Sequence, residues 1–325
     1  MRTTTPWIFA AAVAFAPFGA RAEEPEQQPE ELSRGPIHEA FAAPTQLDPS
    51  AGFVIPREPP APVPESPPDV KPEGARVIWI NGYWSWDEER SDFVWVSGVW
   101  RDAPPGRHFV PGSFVKVEQG WRWSPGYWDL DESPSEDLVQ DPPPPSLEKG
   151  PNSPAPHSGQ AWVNGLWVWE GGWVWRPGYW VDADADWVWT PASWCWTPRG
   201  YLFVAGYYDY VFWRRGHLFA PVWFRPGWVW APGYRWHPHR ILEIDRFGGH
   251  FFAHNSYRHY YYGDYHRATW SGSGLRPWVR TEPPRSGTRG TVLRPMPRAP
   301  EIRRFAPASP GGHHRSGGGR HGGRR

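Results

Sequence analysis

An all-β fold, an antiparallel meander of Trp-rich repeats about 14 residues long in two blocks flanked by disordered segments, follows from three features of the sequence. The 325 residues include 26 Trp, 42 Pro and 35 Gly, and Pro and Gly are the poorest helix formers. Trp recurs as Trp-x-Trp at 84/86, 121/123, 167/169, 173/175, 187/189, 194/196 and 228/230, and two-residue alternation puts both rings on one strand face. The intervening residue is mostly Val (Val168, Val174, Val188, Val229), which suits the other face of a sheet. Finally, a unit of the form aromatic-x-x-Gly-x-aromatic returns along the middle of the chain, and a regular period of this kind decides a fold.

Residues 1–22 read as a secretory signal. A lone Arg2, a short apolar run from Trp7 to Phe18 and the small-x-small triplet Ala20-Arg21-Ala22 make the pattern, and the run is too short to cross a bilayer. No later segment reaches eighteen apolar residues, so no transmembrane segment is expected in the mature chain. Residues 23–75 form an acidic, Pro-rich stretch with eleven acidic residues against Arg34, Arg57 and Lys71, and are expected to be a disordered or polyproline-II linker. The first repeat block covers 76–130. A second Pro-rich linker, 131–160, centres on Asp141-Pro142-Pro143-Pro144-Pro145, and a second repeat block with a His/Tyr-rich end covers 161–270. The tail, 271–325, is Arg- and Gly-rich and expected to be disordered; from Leu275 onward it carries twelve Arg against Glu282 and Glu301. The zero net charge therefore hides an acidic front and a basic tail.

The repeat appears as Trp79-Ile80-Asn81-Gly82-Tyr83-Trp84 and Trp95-Val96-Ser97-Gly98-Val99-Trp100, then at 109–114 and 123–128. In the second block it stands at 162–167, 175–180, 189–194 (with Ala192 for Gly) and 203–208, and a worn copy at 219–224 has Val222 in the Gly position. The steps are 16, 14 and 14 residues in the first block and 13, 14, 14 and 16 in the second. On these residues the chain resembles the bacterial WXXGXW (or YXWGXW) repeat proteins, a secreted or envelope-associated family, over about residues 76–267. That resemblance implies an envelope protein and implies no reaction.

The motif's two aromatics are five apart, an odd separation that sends them to opposite faces of an unbroken strand. A bulge at the Gly would return them to one face. Alternatively Asn81-Gly82 or Pro125-Gly126 would be a two-residue turn, with Trp123 opposite Trp128. The favoured reading is one bent strand of about nine residues and a polar turn per repeat, with turns at 87–92, 101–107 and 182–186. Whether the blocks stack as a sandwich or sit as separate sheets is open at this level.

Catalytic signatures are missing: no Gly-x-Ser-x-Gly, His-Glu-x-x-His, Cys-x-x-Cys or phosphate-binding Gly loop occurs, so a non-enzymatic chain without a cofactor is expected. Cys195, the only thiol, sits where sister repeats place Val and reads as a small buried hydrophobe; an intramolecular disulfide is impossible. Asp182-Ala183-Asp184-Ala185-Asp186 lacks the Gly and distal Glu of a calcium loop and reads as a charged turn. The late histidines (His237, His239, His250, His254, His259, His266) have no fixed complement of further ligands, and no metal site is assigned.

The Trp rings carry the functional expectation. Most should be core, each aromatic burying about 150–250 Å², and an exposed remainder would form an interaction patch. The candidate binding residues are the motif-closing rings Trp84, Trp100, Trp128, Trp167, Trp180 and Trp194. The expected role is a secreted scaffold of the periplasm or cell surface whose partners are an envelope protein or a second copy. The alternative is a polysaccharide-binding module using exposed Trp. The Arg-rich tail would attach to anionic polymer by counterion release, with nucleic acid the poorer candidate for an exported chain.

Overall fold

The computed structural model describes residues 28–42, 52–132, 134–135, 138–242, 250–254, 259–266 and 274–277. Residues 1–22, expected from the sequence to be a signal, and nearly all of the Arg/Gly tail lie outside the described residues. Those described are organised almost wholly by β-strands, with a 3-10 turn at Phe212–Arg214 and no α-helix.

The repeats associate in pairs, and each pair is one bent hairpin. In the first (77–102), Val77–Ile80 pairs with Val99–Asp102 and Tyr83–Asp87 pairs with Asp92–Val96. The second (107–130), third (160–182) and fourth (187–210) repeat this arrangement. In all four the register runs through the bend with no inserted residue, and both strands leave the ladder over the same short stretch, Asn81-Gly82 against Ser97-Gly98 in the first. The bent strand is therefore what forms, and the bulge is not. A bulge needs a residue-count mismatch, and here both strands fold over together. The hairpin turn at the motif Gly is also ruled out, because the chain reverses midway between motifs. Glu118-Gln119 and Pro198-Arg199 are two such reversals, each followed by a Gly at positive φ (Gly120 at +142°, Gly200 at +131°).

Close approach makes the motif Gly necessary. A Cβ on Gly112 would lie 2.5 Å from Trp123 Cζ2, on Gly165 2.6 Å from Trp175 Cζ2, and on Gly178 2.5 Å from Trp162 Cζ2. The opening ring of each repeat thus lies on the Gly of its partner repeat. That ring is also edge-on to the closing ring opposite: Trp79–Trp100, Trp84–Trp95, Phe109–Trp128, Phe114–Trp123, Trp162–Trp180, Trp167–Trp175, Trp189–Tyr208 and Trp194–Phe203. Their centroids are 4.9–5.4 Å apart at 60–76°, the edge-to-face geometry that adds about 0.5–1.5 kcal/mol per pair beyond burial.

Consecutive hairpins do not continue one ladder. Some of their edges are closed by the segments around them, which limits the hazard of open strands, while the third hairpin gains no added strand among the described residues. Val54–Ile55 pairs with the second hairpin, Leu138–Val139 with the fourth, and Gly216–His217 and Val222–Trp223 with the two halves of the first. The 23–75 stretch is consequently more than a spacer over its described part. Gly35–Ile37 pairs with Tyr260–Tyr262, and Ile37, Ala40 and Phe41 lie in the central core with Val99, Trp128, Leu218 and Phe251. The few apolar residues of this acidic stretch are enough, because the repeats supply the other wall of the core. The 131–160 stretch likewise contributes an edge strand as well as a connection.

The two blocks meet through buried charge. Asp209, beside Tyr208 of the fourth hairpin, is fully buried and takes both oxygens to Arg101 Nη2 of the first at 2.5 and 2.6 Å. Arg215 lies 3.3 Å from the same carboxylate and donates to Phe41 O. Arg107 of the second hairpin donates to Trp128 O and to Gly206 O of the fourth.

Candidate functional site

Where a hairpin bends, its ladder is interrupted and the motif amides turn away from their usual carbonyl partners. Buried amides need acceptors. In three hairpins a glutamate from a Pro-containing segment supplies one. Glu65, between Pro64 and Ser66-Pro67-Pro68, accepts from the Gly82 and Gly98 amides at 3.0 Å each with Oε2, and from Trp95 Nε1 at 3.1 Å with Oε1. Glu39 accepts from the Gly126 amide at 2.8 Å and Trp123 Nε1 at 3.2 Å. Glu148 accepts from the Gly165 amide at 2.5 Å and Trp162 Nε1 at 3.3 Å. A Cβ on Gly126 would fall 2.7 Å from the Glu39 oxygen and one on Gly82 2.8 Å from that of Glu65. The glycine thus admits the partner ring and the carboxylate together.

The closing rings hold the same segments by their backbone. Trp84 and Trp100 donate their indole N–H to Ala61 O and Pro68 O on either side of Glu65 (2.9 and 3.2 Å). Trp128 donates to Ala40 O, Trp167 to Pro145 O and Trp180 to Ser153 O. The motif positions therefore divide the work. The opening Trp and the Gly bind a carboxylate, and the closing Trp binds the peptide that carries it. Segments 61–68, 39–40 and 145–153 act as straps across the hairpins.

Electrostatics differ with burial. Desolvation pushes the Glu65 carboxyl up to about 7, outweighing the three N–H donors that favour the anion. His38, fully buried with Nε2 donating to Asn81 O at 3.0 Å, is held down to about 4 by the same desolvation, and buried His259 to about 3. Both rings are neutral in the fold.

The six Trp singled out in the sequence all lie in this system. Trp84, Trp128 and Trp194 are buried, and Trp100, Trp167 and Trp180 are half-buried. All six donate their indole N–H to carbonyls of this chain, Trp194 to Trp167 O of the third hairpin. What sequence reasoning missed is the carboxylates and the opening rings that hold them. A usable signal existed: Glu65 and Glu148 each stand within three residues of Pro in otherwise low-complexity stretches. Cys195 is buried, its Sγ 3.4 Å from Pro125 O. The 182–186 turn is engaged by neighbours, Asp186 by Arg214 and Asp182 by Gln160. Among the described residues no three His, Cys, Asp or Glu side chains converge on a metal-sized site, and no helix is long and apolar enough to cross a membrane.

These features define a class: an all-β protein of paired aromatic-Gly-aromatic repeats, each pair a bent hairpin, three of them crossed by a Pro-containing segment. The family model that matches is the WXXGXW repeat (2 copies), over residues 77–101, 119–133, 158–181 and 185–207, so the chain carries WXXGXW repeats across 77–207. Three of these matches span both motifs of one hairpin, so the two-copy unit coincides with the structural one. No curated protein and no solved structure is found to match the chain.

Proposed function

We propose that this is a secreted, non-enzymatic scaffolding protein of the bacterial cell envelope or surface, acting by holding polypeptide. The observation that carries the reading is the recurring grip of three hairpins on Pro-containing segments, through a glutamate carboxylate and flanking backbone carbonyls. Indole N–H groups aimed at peptide carbonyls suit protein recognition, and Pro-rich segments suit it too because little entropy is lost on holding them. Export rests on the signal-like segment 1–22, and attachment to anionic envelope polymer on the Arg-rich tail.

Polysaccharide binding is the second reading, favoured by the partial exposure of Trp100, Trp167 and Trp180. The scaffold reading predicts that the purified protein forms salt-insensitive oligomers or retains an envelope protein, with Trp emission unchanged by envelope polysaccharide. A protein that stays monomeric at high concentration and retains no envelope protein contradicts it. A saturable emission change on adding polysaccharide, abolished by Trp180→Ala without unfolding, would transfer the function to the glycan reading.

A further inference from the structure

Each hairpin bends into a half beside its turn and a half beside its ends, and in three of the four the returning strand of the turn half carries a third strand. Val222–Trp223 adds to Asp92–Val96 in the first hairpin, Val54–Ile55 to Gly120–Ser124 in the second and Leu138–Val139 to Gly200–Val204 in the fourth, all antiparallel. The returning strand of the third hairpin, Trp173–Arg176, pairs with Leu166–Trp169 on one side and with no strand among the described residues on the other. Burial records the difference. Val94 and Leu202, each just before the opening ring of a second motif, are 0% and 3% exposed, whereas Val174 at the same place in the third hairpin is 38% exposed.

The open edge also presents main-chain groups. An antiparallel ladder alternates pairs that bond each other with pairs whose N–H and C=O groups point away. Trp167 O accepts the Trp194 indole N–H at 2.8 Å, from outside the ladder, and the Glu170 amide donates to Gly172 O across the turn. The pairs Trp167–Trp175 and Trp169–Trp173 are therefore of the outward kind, and the amides and carbonyls of Trp173 and Trp175 point away from the hairpin at its open edge.

We infer that this edge takes Val292-Leu293 of the chain's own tail as its third strand, antiparallel, with Val292 opposite Val174 and Leu293 opposite Trp173. The register is that of two strands already present: Leu138 and Val139 stand opposite Leu202 and Tyr201, and Val54 and Ile55 opposite Arg122 and Trp121, at the corresponding positions. The sequence of the occupant follows theirs. Each added strand is an apolar pair with Pro one to three residues behind it: Val54-Ile55 before Pro56, Leu138-Val139 before Pro142 and Val222-Trp223 before Pro226. Outside the described residues, 292–293 is the one place where two of Val, Ile and Leu are adjacent, and Pro295 follows. Charge favours the match, since residues 160–186 carry four acids against Arg176 and residues 278–298 carry five Arg against Glu282. From Pro277, where the described chain ends, an extended backbone reaches Val292 over about 50 Å, the diameter of a compact chain of this length. The pairing covers Val174 and closes an edge open to other strands. It goes beyond the scaffold reading and does not depend on it.

The test is a disulfide in the full chain. Because the Trp173 and Trp175 groups point outward, Val174 and Val292 form a non-hydrogen-bonded pair, the closer kind, whose Cβ atoms come within disulfide reach. Val174→Cys with Val292→Cys should crosslink within one chain under mild oxidation at least tenfold faster than Val174→Cys with Ile302→Cys, the native Cys195 being buried. A second measurement is amide hydrogen exchange at Trp173 and Trp175, expected to be at least tenfold faster when Val292→Asp and Leu293→Asp are combined, with the Trp95 amide unchanged. Crosslinks that join two chains would make the occupant a second copy and overturn the assignment. Crosslinking no faster than the Ile302→Cys control, or exchange at Trp173 and Trp175 unmoved by the tail substitutions, overturns it as well.

Discussion

The first and fourth hairpins share an unbroken register, a symmetric bend and the same crossed aromatic pairs, with Trp79 and Trp84 facing Trp100 and Trp95 in one, and Trp189 and Trp194 facing Tyr208 and Phe203 in the other. They differ at the bend. In the first, two glycine amides and an indole N–H close on Glu65, and the strap from Ala61 to Pro68 is pinned at both ends. In the fourth, Ala192 replaces one Gly, Phe203 replaces one indole, and Trp189 Nε1 has no acceptor among the described residues. The hairpin shape therefore depends on ring pairs and the Gly gap, while the carboxylate is an addition that the bend accepts. Ala192 stands where, by register, the smaller Phe203 is the ring that would lie on it, although Gly126, under Phe109, remains Gly.

The largest effect belongs to the link between these two hairpins. Arg101→Met leaves Asp209 buried with Arg215 as its remaining cation, and chemical denaturation should show a loss of about 3–5 kcal/mol. A loss under 1 kcal/mol would mean the hairpins do not meet through this pair. Next, Gly112→Ala forces a methyl against Trp123 and Glu39, at an expected cost of about 1–3 kcal/mol. Ala192→Gly in the fourth hairpin should change stability by less than about 1 kcal/mol, the backbone cost of a Gly. Equal costs at the two sites would erase the distinction drawn between the bends.

Acid titration sharpens the comparison in a way specific to Glu65. Its carboxyl titrates near 7 in the fold, above the ordinary 4.5, so the folded state holds the extra proton between those values and stability from this group falls as pH rises through them. Glu65→Gln lacks that dependence, and its penalty relative to the unaltered chain should shrink from pH 5 to pH 8 by up to about 3 kcal/mol. A penalty that grows with pH would make the anion the form the strap prefers. His38 and His259 act oppositely: their pKa values are depressed to about 4 and 3, so their stability is present above 6.5 and lost as pH falls through those values. The whole protein should therefore lose stability in acid even while Glu65 gains. The smallest effect separates a used donor from an idle one. Trp95→Phe should cost about 1.5–3 kcal/mol through the lost bond to the Glu65 carboxyl group, while Trp189→Phe should sit within about 0.5 kcal/mol of the unaltered chain.

Much of this was readable from the order of residues. The recurrence of Trp79-x-x-Gly82-x-Trp84 and its sisters announced strands, aromatic pairing and a Gly with a local structural role. The inference of a bulge failed because five-residue parity assumes a flat strand, and here both strands fold over together at Asn81-Gly82 and Ser97-Gly98. The straps were hard to read because they are long-range: Glu65 reaches Gly98 across 33 residues and Glu39 reaches Gly126 across 87, and a Glu near Pro marks a segment without saying which hairpin it crosses. Low apolar content in the acidic stretch also argued for disorder, yet Ile37, Ala40 and Phe41 find a complete wall in residues far along the chain. The buried Asp209 looked like any residue beside a motif ring, since only the third dimension brings Arg101 and Arg215 to it.

The central claim is that the repeat's Gly amides and opening indoles bind glutamate. Amide and indole ¹⁵N–¹H spectra of the full chain and of Glu65→Gln test it most directly. The account predicts that the Gly82, Gly98 and Trp95 Nε1 resonances move upfield together in Glu65→Gln while those of Gly126, Trp123 Nε1 and Trp189 Nε1 stay in place. Spectra in which the Gly82, Gly98 and Trp95 signals are unmoved by loss of the carboxyl group would contradict it.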